Sequence, residues 1–344
     1  MKFRTLPNLF SDTLRSLPLL VLYLTDGCNS KCAMCDIWKA PRRNMAFDLI
    51  EQLADDAHQL GTQLVLFSGG EAMQHPEWPQ AAQRFRQAGI KVWLLTNGLF
   101  LTKQAQAVID HIDMLTVSLD AATPELYQQI RGVDALGVIL QGMRVVSDSG
   151  VAVSTRTTLM QANYHQMPLI VDTALDAGAS SVSFLAVDTV NPYAFGPRFD
   201  EVIPLVETNP YGALCEEDLP HFAAILDALE ISHAAHFADG RMAESPAKLR
   251  RLYDYFAAPY GKATFEPPRC NAPHISAVVN VDGSLQPCYF LPSWGGLDGQ
   301  SLQQALNDPA ARELRHAYKH GERPECARCV CPLYRGPRGL LRGF

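Results

Sequence analysis

The chain has 344 residues, 47% of them apolar and 19% charged, enough to bury a sizeable core with ordinary globular usage. Its 29 basic and 36 acidic side chains give a net charge of −7 with no block of either sign, so neither a nucleic-acid nor a membrane partner is expected. The longest apolar run near the start, PLLVLYLT at 18–25, is too short to span a bilayer and leads into no cleavage site, which makes a cytoplasmic location the expectation.

After an N-terminal extension at 1–17, β-branched and aliphatic runs predict strands at 19–25, 63–69, 90–97, 114–120, 151–159 and 181–187. Amphipathic segments lie between them, such as 47–61 and 76–89, both ending on Gly. Six strand–helix units predict an α/β fold, a partial (β/α)6 barrel over 18–213, with the active site at the C-terminal ends of the strands. The chemistry-bearing residues fall there. The first strand runs into three cysteines, the second ends in SGGE (68–71), the third in TNG (96–98), and the fourth carries SLD (118–120).

A connection at 188–213 with four prolines follows the sixth strand and is expected to line a substrate cavity. Asp188, Asn191 and Tyr193 emerge first from the strand and are its candidate substrate contacts. A helical connection at 214–262 comes next. The last segment, 263–344, predicts a small domain: a β-hairpin turning at Asp282–Gly283, a helix over about 301–319, CARCVC at 326–331, and a basic tail with Arg335, Arg338 and Arg342.

The nine cysteines are clustered in a chain without an export signal, which favours metal ligation over disulfides. Cys28, Cys32 and Cys35 have the spacing C-x3-C-x2-C. Zinc needs a fourth ligand, and the nearest histidines, His58 and His75, belong to no recognisable spacing. A [4Fe–4S] cluster on three cysteines keeps one iron open for a small molecule. Cys270, Cys288, Cys326 and Cys329 form a second set of four thiols, for which zinc and a fully ligated cluster both remain open. Cys331 is the alternative to Cys329. Two intervening residues let both sulfurs of Cys326 and Cys329 turn to one cluster, so Cys329 is preferred and Cys331 is expected outside the set.

Taken together, the cysteine loop, Gly69–Gly70–Glu71, Thr96–Asn97, Ser118 and Asp120 resemble the radical S-adenosylmethionine (SAM) superfamily over roughly 18–190. The resemblance implies that the open iron binds SAM by its methionyl amine and carboxylate, and that Glu71 meets the amine. It implies that Thr96, Asn97, Ser118 and Asp120 face the carboxylate or ribose, with Arg156 a partner for the carboxylate. Met34 departs from the aromatic residue that relatives often carry there. C-x17-C with an internal G-x4-C, then a helix and C-x2-C, resembles the Twitch domain, a shortened SPASM domain, which implies one auxiliary [4Fe–4S] cluster.

The chemistry implied is reductive cleavage of SAM to a 5′-deoxyadenosyl radical that abstracts a substrate hydrogen, with flavodoxin or ferredoxin as electron donor. Oxidation or cross-linking of a small molecule, cofactor precursor or peptide is the leading expectation. Redox-neutral epimerisation with the solitary Cys215 as hydrogen donor is the alternative, and a non-catalytic metal-binding scaffold the third. Relatives that modify peptides often carry a recognition domain ahead of the barrel. Here the first strand starts near residue 19, which tilts the expectation toward a small molecule.

Overall fold

The computed structural model describes residues 5–188, 191, 193 and 210–343. Residues 189–190, 192 and 194–209 of the long connection, and the side chain of Arg342, lie outside the described residues.

Six strands follow the sequence expectation closely: β1 Leu19–Thr25, β2 Leu64–Gly69, β3 Lys91–Thr96, β4 Met114–Ser118, β5 Ala152–Leu159 and β6 Ser181–Ala186. Crossover helices α1 Phe47–Gln59, α2 Trp78–Gln87, α3 Leu101–His111, α4 Pro124–Arg131, α5 Leu136–Asp148 and α6 Met167–Asp176 make their pairing parallel. Helices α7 Leu219–Ser232, α8 Ala234–Ala238 and α9 Pro246–Ala257 form the connection, and α10 Ala272–Ile275 opens the C-terminal segment. The hairpin appears as β7 Ser276–Val279 and β8 Ser284–Gln286, followed by β9 Gly295–Gly296. The helix expected over 301–319 is two, α11 Leu302–Ala305 and α12 Pro309–Lys319, because Asp308 caps a new start ahead of Pro309 and accepts from Ala310 N at 2.9 Å. Helix α13, Pro337–Arg342, ends the chain.

The nine strands make one open sheet in the order β6-β5-β4-β3-β2-β1-β7-β8-β9, parallel up to β7 and not closed into a barrel. Strand β7 therefore continues the sheet at β1, with Val21 opposite Val278. The near-continuous apolar run of β1 follows from burial on both faces. Leu20, Leu22 and Leu24 join Val65, Phe67 and Val92 in the main core, while Leu19, Val21, Leu64, Leu66 and Val278 form a second cluster on the other face. On that second face the two-residue period carries the strands upward to Tyr23, Ser68, Ser118, Arg156 and Leu185, so its apolar floor becomes polar at the C-terminal ends. No described helix is long and apolar enough to cross a membrane.

The N-terminal extension is tied in by fully buried Asn8. Its Nδ2 donates to Ser16 O at 2.8 Å and His274 O at 3.1 Å, and its Oδ1 accepts from Arg15 N at 2.9 Å. Asn8→Ala leaves three backbone groups without this partner, two of them on buried Ser16 and His274, and is expected to cost about 2 kcal/mol. An unfolding midpoint equal to that of the parent would contradict the tie.

Candidate active site

The ends of β1 and β2 cross at backbone contact. Gly70 N donates to Thr25 O and Glu71 N to Gly27 O, both at 2.8 Å. A Cβ on Gly69, whose φ is +123°, would sit 2.4 Å from Thr25 O, and one on Gly70 would sit 2.3 Å from Gly27 O. These glycines are thus required by the neighbouring strand. The far side of the cysteine loop rests on the C-terminal end of α4, whose carbonyls would otherwise lack partners. Ala33 N donates to Ile130 O at 2.9 Å and Lys31 N to Arg131 O at 3.3 Å. Gly132, left-handed at φ +70°, closes that helix with Lys31 O only 2.7 Å from where its Cβ would be.

Within this clamp, donors point at the sulfurs. Ser30 N lies 3.5 Å from Cys28 Sγ, and Asn97 Nδ2 lies 3.9 Å from it while bonding Asn29 Oδ1 at 2.7 Å. Arg131 Nη1 donates to Cys32 Sγ at 3.5 Å. Burial pushes the Cys28 thiol up to about 11 and Cys35 up to about 12, so ionising them needs a cationic group to bind. Three thiols with N–H donors suit an iron–sulfur cluster. Among the described residues, no three Cys, His, Asp or Glu side chains converge as a single ion requires.

The thiols open on a cavity of about 230 Å³, and Gly69, Gly70, Thr96, Asn97, Ser118 and Arg156 also line it. Glu71 and Asp120 do not. The buried Glu71 carboxylate lies behind the wall, accepting from Met73 N at 3.1 Å, Thr96 Oγ1 at 2.8 Å and Asn97 N at 2.7 Å. Burial raises its pKa against the pull of those donors. Asp120 is fully buried, 2.5 Å from Arg131 Nη2, and accepts from Thr158 N at 2.7 Å. Arg131 is the residue that sequence reasoning missed. Its only signal is a basic residue before the glycine that stops α4, which is common at helix ends. Tyr289, next to Cys288, also reaches this cavity and stacks at 5.8 Å on Tyr23.

The five C-terminal cysteines gather beyond Arg156. Ala272 N donates to Cys270 Sγ at 3.5 Å, and Cys329 N to Cys326 O at 3.4 Å, which curls the C-x2-C turn. Burial, with neighbouring thiols adding to it, raises Cys270, Cys288 and Cys329, and brings Cys326 up to about 11. The chain after them is pinned by Asn271, which exchanges two bonds with the Arg335 backbone at 2.8 and 3.0 Å. Cys331 differs from its neighbours: it accepts from Arg156 Nη1 at 3.8 Å and lines the cavity that Cys28, Cys32 and Cys35 open on. A second cavity of about 90 Å³, between β6, α9 and Cys329, shares Arg156, Leu185 and Cys331 with the first.

Residues 22–174 match the radical SAM superfamily, and residues 270–330 match SPASM, an iron–sulfur cluster-binding domain. The chain carries a radical SAM domain and a SPASM iron–sulfur domain. Its cofactors are accordingly SAM, the [4Fe–4S] cluster that binds it and an auxiliary [4Fe–4S] cluster. An AdoMet-dependent heme synthase of Methanosarcina barkeri is 28% identical over 54% of this chain and 54% of its own length. The subtilosin biosynthesis protein AlbA of Bacillus subtilis is 22% identical over 90% of this chain and 64% of its own. The chain thus spans between half and two thirds of these curated relatives. Streptococcus suis SuiB bound to its precursor peptide SuiA shares the fold, with a TM-score of 0.64 at 15% identity over 88% of this chain and 68% of SuiB.

Other sequence candidates stand outside the cavity that the first three cysteines open on. The Cys215 thiol donates to Asp218 Oδ2 at 2.9 Å and accepts from Gln161 Nε2 at 2.7 Å, capping a short helical turn; burial and Asp218 raise it to about 11. Asp188 Oδ1 accepts from Asn191 N at 2.9 Å, and Asn191 Nδ2 donates to Phe290 O at 3.0 Å, anchoring the connection to the C-terminal segment. Tyr193 is exposed. His221 and His233 bond Tyr164 and Asp172 at 3.3 and 3.0 Å.

The backbone clamp carries a prediction. Gly70→Ala should cost roughly 2–3 kcal/mol and lower the iron bound after reconstitution, because the loop must shift. Gly137→Ala, which meets open space in α5, should be neutral or stabilising. Equal effects of the two, measured by unfolding and iron content, would contradict the clamp.

Proposed function

We propose that this chain is an oxidative radical SAM enzyme that takes a hydrogen atom from a peptide segment, with flavodoxin or ferredoxin supplying electrons. Cys28, Cys32 and Cys35 hold the cluster that binds SAM, and Cys270, Cys288, Cys326 and Cys329 hold the auxiliary cluster. When bound and reduced, the first cluster with SAM supplies a 5′-deoxyadenosyl radical. The chain's own residues then bind and orient. The Gly69–Gly70 backbone, Thr96, Asn97 and Ser118 receive the methionyl and ribose groups, and Arg156 attracts a carboxylate at the junction of the two cavities. Glu71 acts indirectly, holding the Thr96 hydroxyl and the Asn97 amide in place.

The observation that carries this reading is that both cysteine sets border cavities with a shared wall, so one substrate can lie between the two clusters. The peptide class rests on AlbA, a bacteriocin biosynthesis protein whose similarity runs through both matched domains. A cofactor-precursor substrate is the second reading, favoured by the likeness to a heme synthase. The epimerase reading has less support, since the Cys215 hydrogen is directed to Asp218.

Anaerobic reconstitution should load about eight irons, and Cys28, Cys32 and Cys35 changed together to Ala should leave about half. With a strong reductant, the parent should cleave SAM to 5′-deoxyadenosine and the triple variant should not. Product from the triple variant would sink the assignment. A precursor peptide encoded beside this gene should lose hydrogen atoms in pairs when supplied; an unmodified peptide with an active enzyme favours the small-molecule reading.

For the auxiliary site, Cys329→Ser should lose iron and lower the unfolding midpoint, while Cys331→Ser keeps both. The reverse pattern would make Cys331 the ligand.

A further inference from the structure

We propose that Arg131 is a positioning residue that sets the reduction potential of the SAM-binding cluster through Cys32. The inference rests on the assignment of Cys28, Cys32 and Cys35 as ligands. Arg131 is 8% exposed and Cys32 is 7% exposed, so their contact is shielded from water. One nitrogen of the guanidinium, Nη1, donates to Cys32 Sγ at 3.5 Å. The other, Nη2, lies 2.5 Å from Asp120 Oδ2. Asp120, itself fully buried, is held by Thr158 N of β5, and the backbone carbonyl of Arg131 holds the loop amide of Lys31. The fork is therefore aimed from three sides at one sulfur.

Stability alone gives a weak reason for this arrangement. A buried Arg–carboxylate pair breaks about even against apolar packing of the same shape. Its geometry suits a sulfur ligand better. An N–H donor and a positive charge at a cysteinyl sulfur stabilise the additional negative charge of the reduced cluster, which raises its potential. Arg131 thus brings a guanidinium to a sulfur of the C-x3-C-x2-C loop, and Arg156 supplies the comparable contact at Cys331. Loss of the Arg131 donor makes the cluster harder to reduce. Lysine keeps the charge but lacks the fork that reaches Asp120 and Cys32 together.

The test is a redox titration of the reconstituted full chain followed by electron paramagnetic resonance, with the first cluster recognised by the change in its signal when SAM is added. Arg131→Gln should move the midpoint of that signal to more negative potential and Arg131→Lys should move it less, with iron content and the auxiliary signal unchanged. At a poise that half-reduces the parent, the SAM-responsive signal of Arg131→Gln should fall several-fold. If Arg131→Gln fails to load iron, Arg131→Lys carries the comparison. An unchanged midpoint in an iron-loaded variant overturns the proposal, as does weakened SAM binding with an unchanged midpoint, which would make Arg131 a SAM contact. A SAM-responsive signal that survives in the Cys28, Cys32 and Cys35 triple variant overturns the underlying assignment instead.

Discussion

A contact between bare backbones, where the glycines ending β2 lie against the last residues of β1, fixes the position of everything that follows. Two hydrogen bonds of 2.8 Å and two sites too tight for a Cβ leave the cysteine loop one way to leave the sheet. Helix α4 then holds the loop from the other side through its terminal carbonyls. A loop of small and polar residues has little apolar area of its own to bury, so its order must come from such external hydrogen bonds.

From that fixed point the layers build outward. The floor of the second sheet face is apolar, which keeps water from below, and the upper positions of the same strands turn polar where the cavity begins. Strand β7 lies against β1, so Tyr289, just beyond the hairpin, comes to the rim of the cavity that the first three cysteines open on. Arg156 stands at the boundary, in the walls of both cavities.

Much of this was legible in the sequence because it rests on local pattern. The strands β1 to β6 announced themselves by apolar runs at regular spacing, and Gly283 marked the hairpin. The cavity-lining positions Thr96, Asn97, Ser118 and Arg156 followed from strand ends and from the family resemblance. What escaped depends on distant pairing. The join of β7 to β1 links residues some 257 positions apart, as between Leu19 and Ser276, and no local pattern encodes it. The carboxylates of Glu71 and Asp120 were expected to face the ligand; they face Asn97, Thr96 and Arg131 instead, because a buried carboxylate is held by whatever donors surround it. The tight approach of Gly69 to Thr25 O and of Gly70 to Gly27 O likewise depends on the neighbouring strand and the loop after it, which no local pattern encodes.

The central claim is that one cavity system lies between two clusters held by one sheet. Magnetic interaction between the clusters tests it most directly, since reduced clusters facing a common cavity must broaden one another's resonance. The account predicts that the fully reduced protein gives a broadened, split spectrum. It also predicts that the spectrum differs from the sum of those from variants lacking one cysteine set or the other. A spectrum equal to that sum, with both clusters reduced, would contradict it.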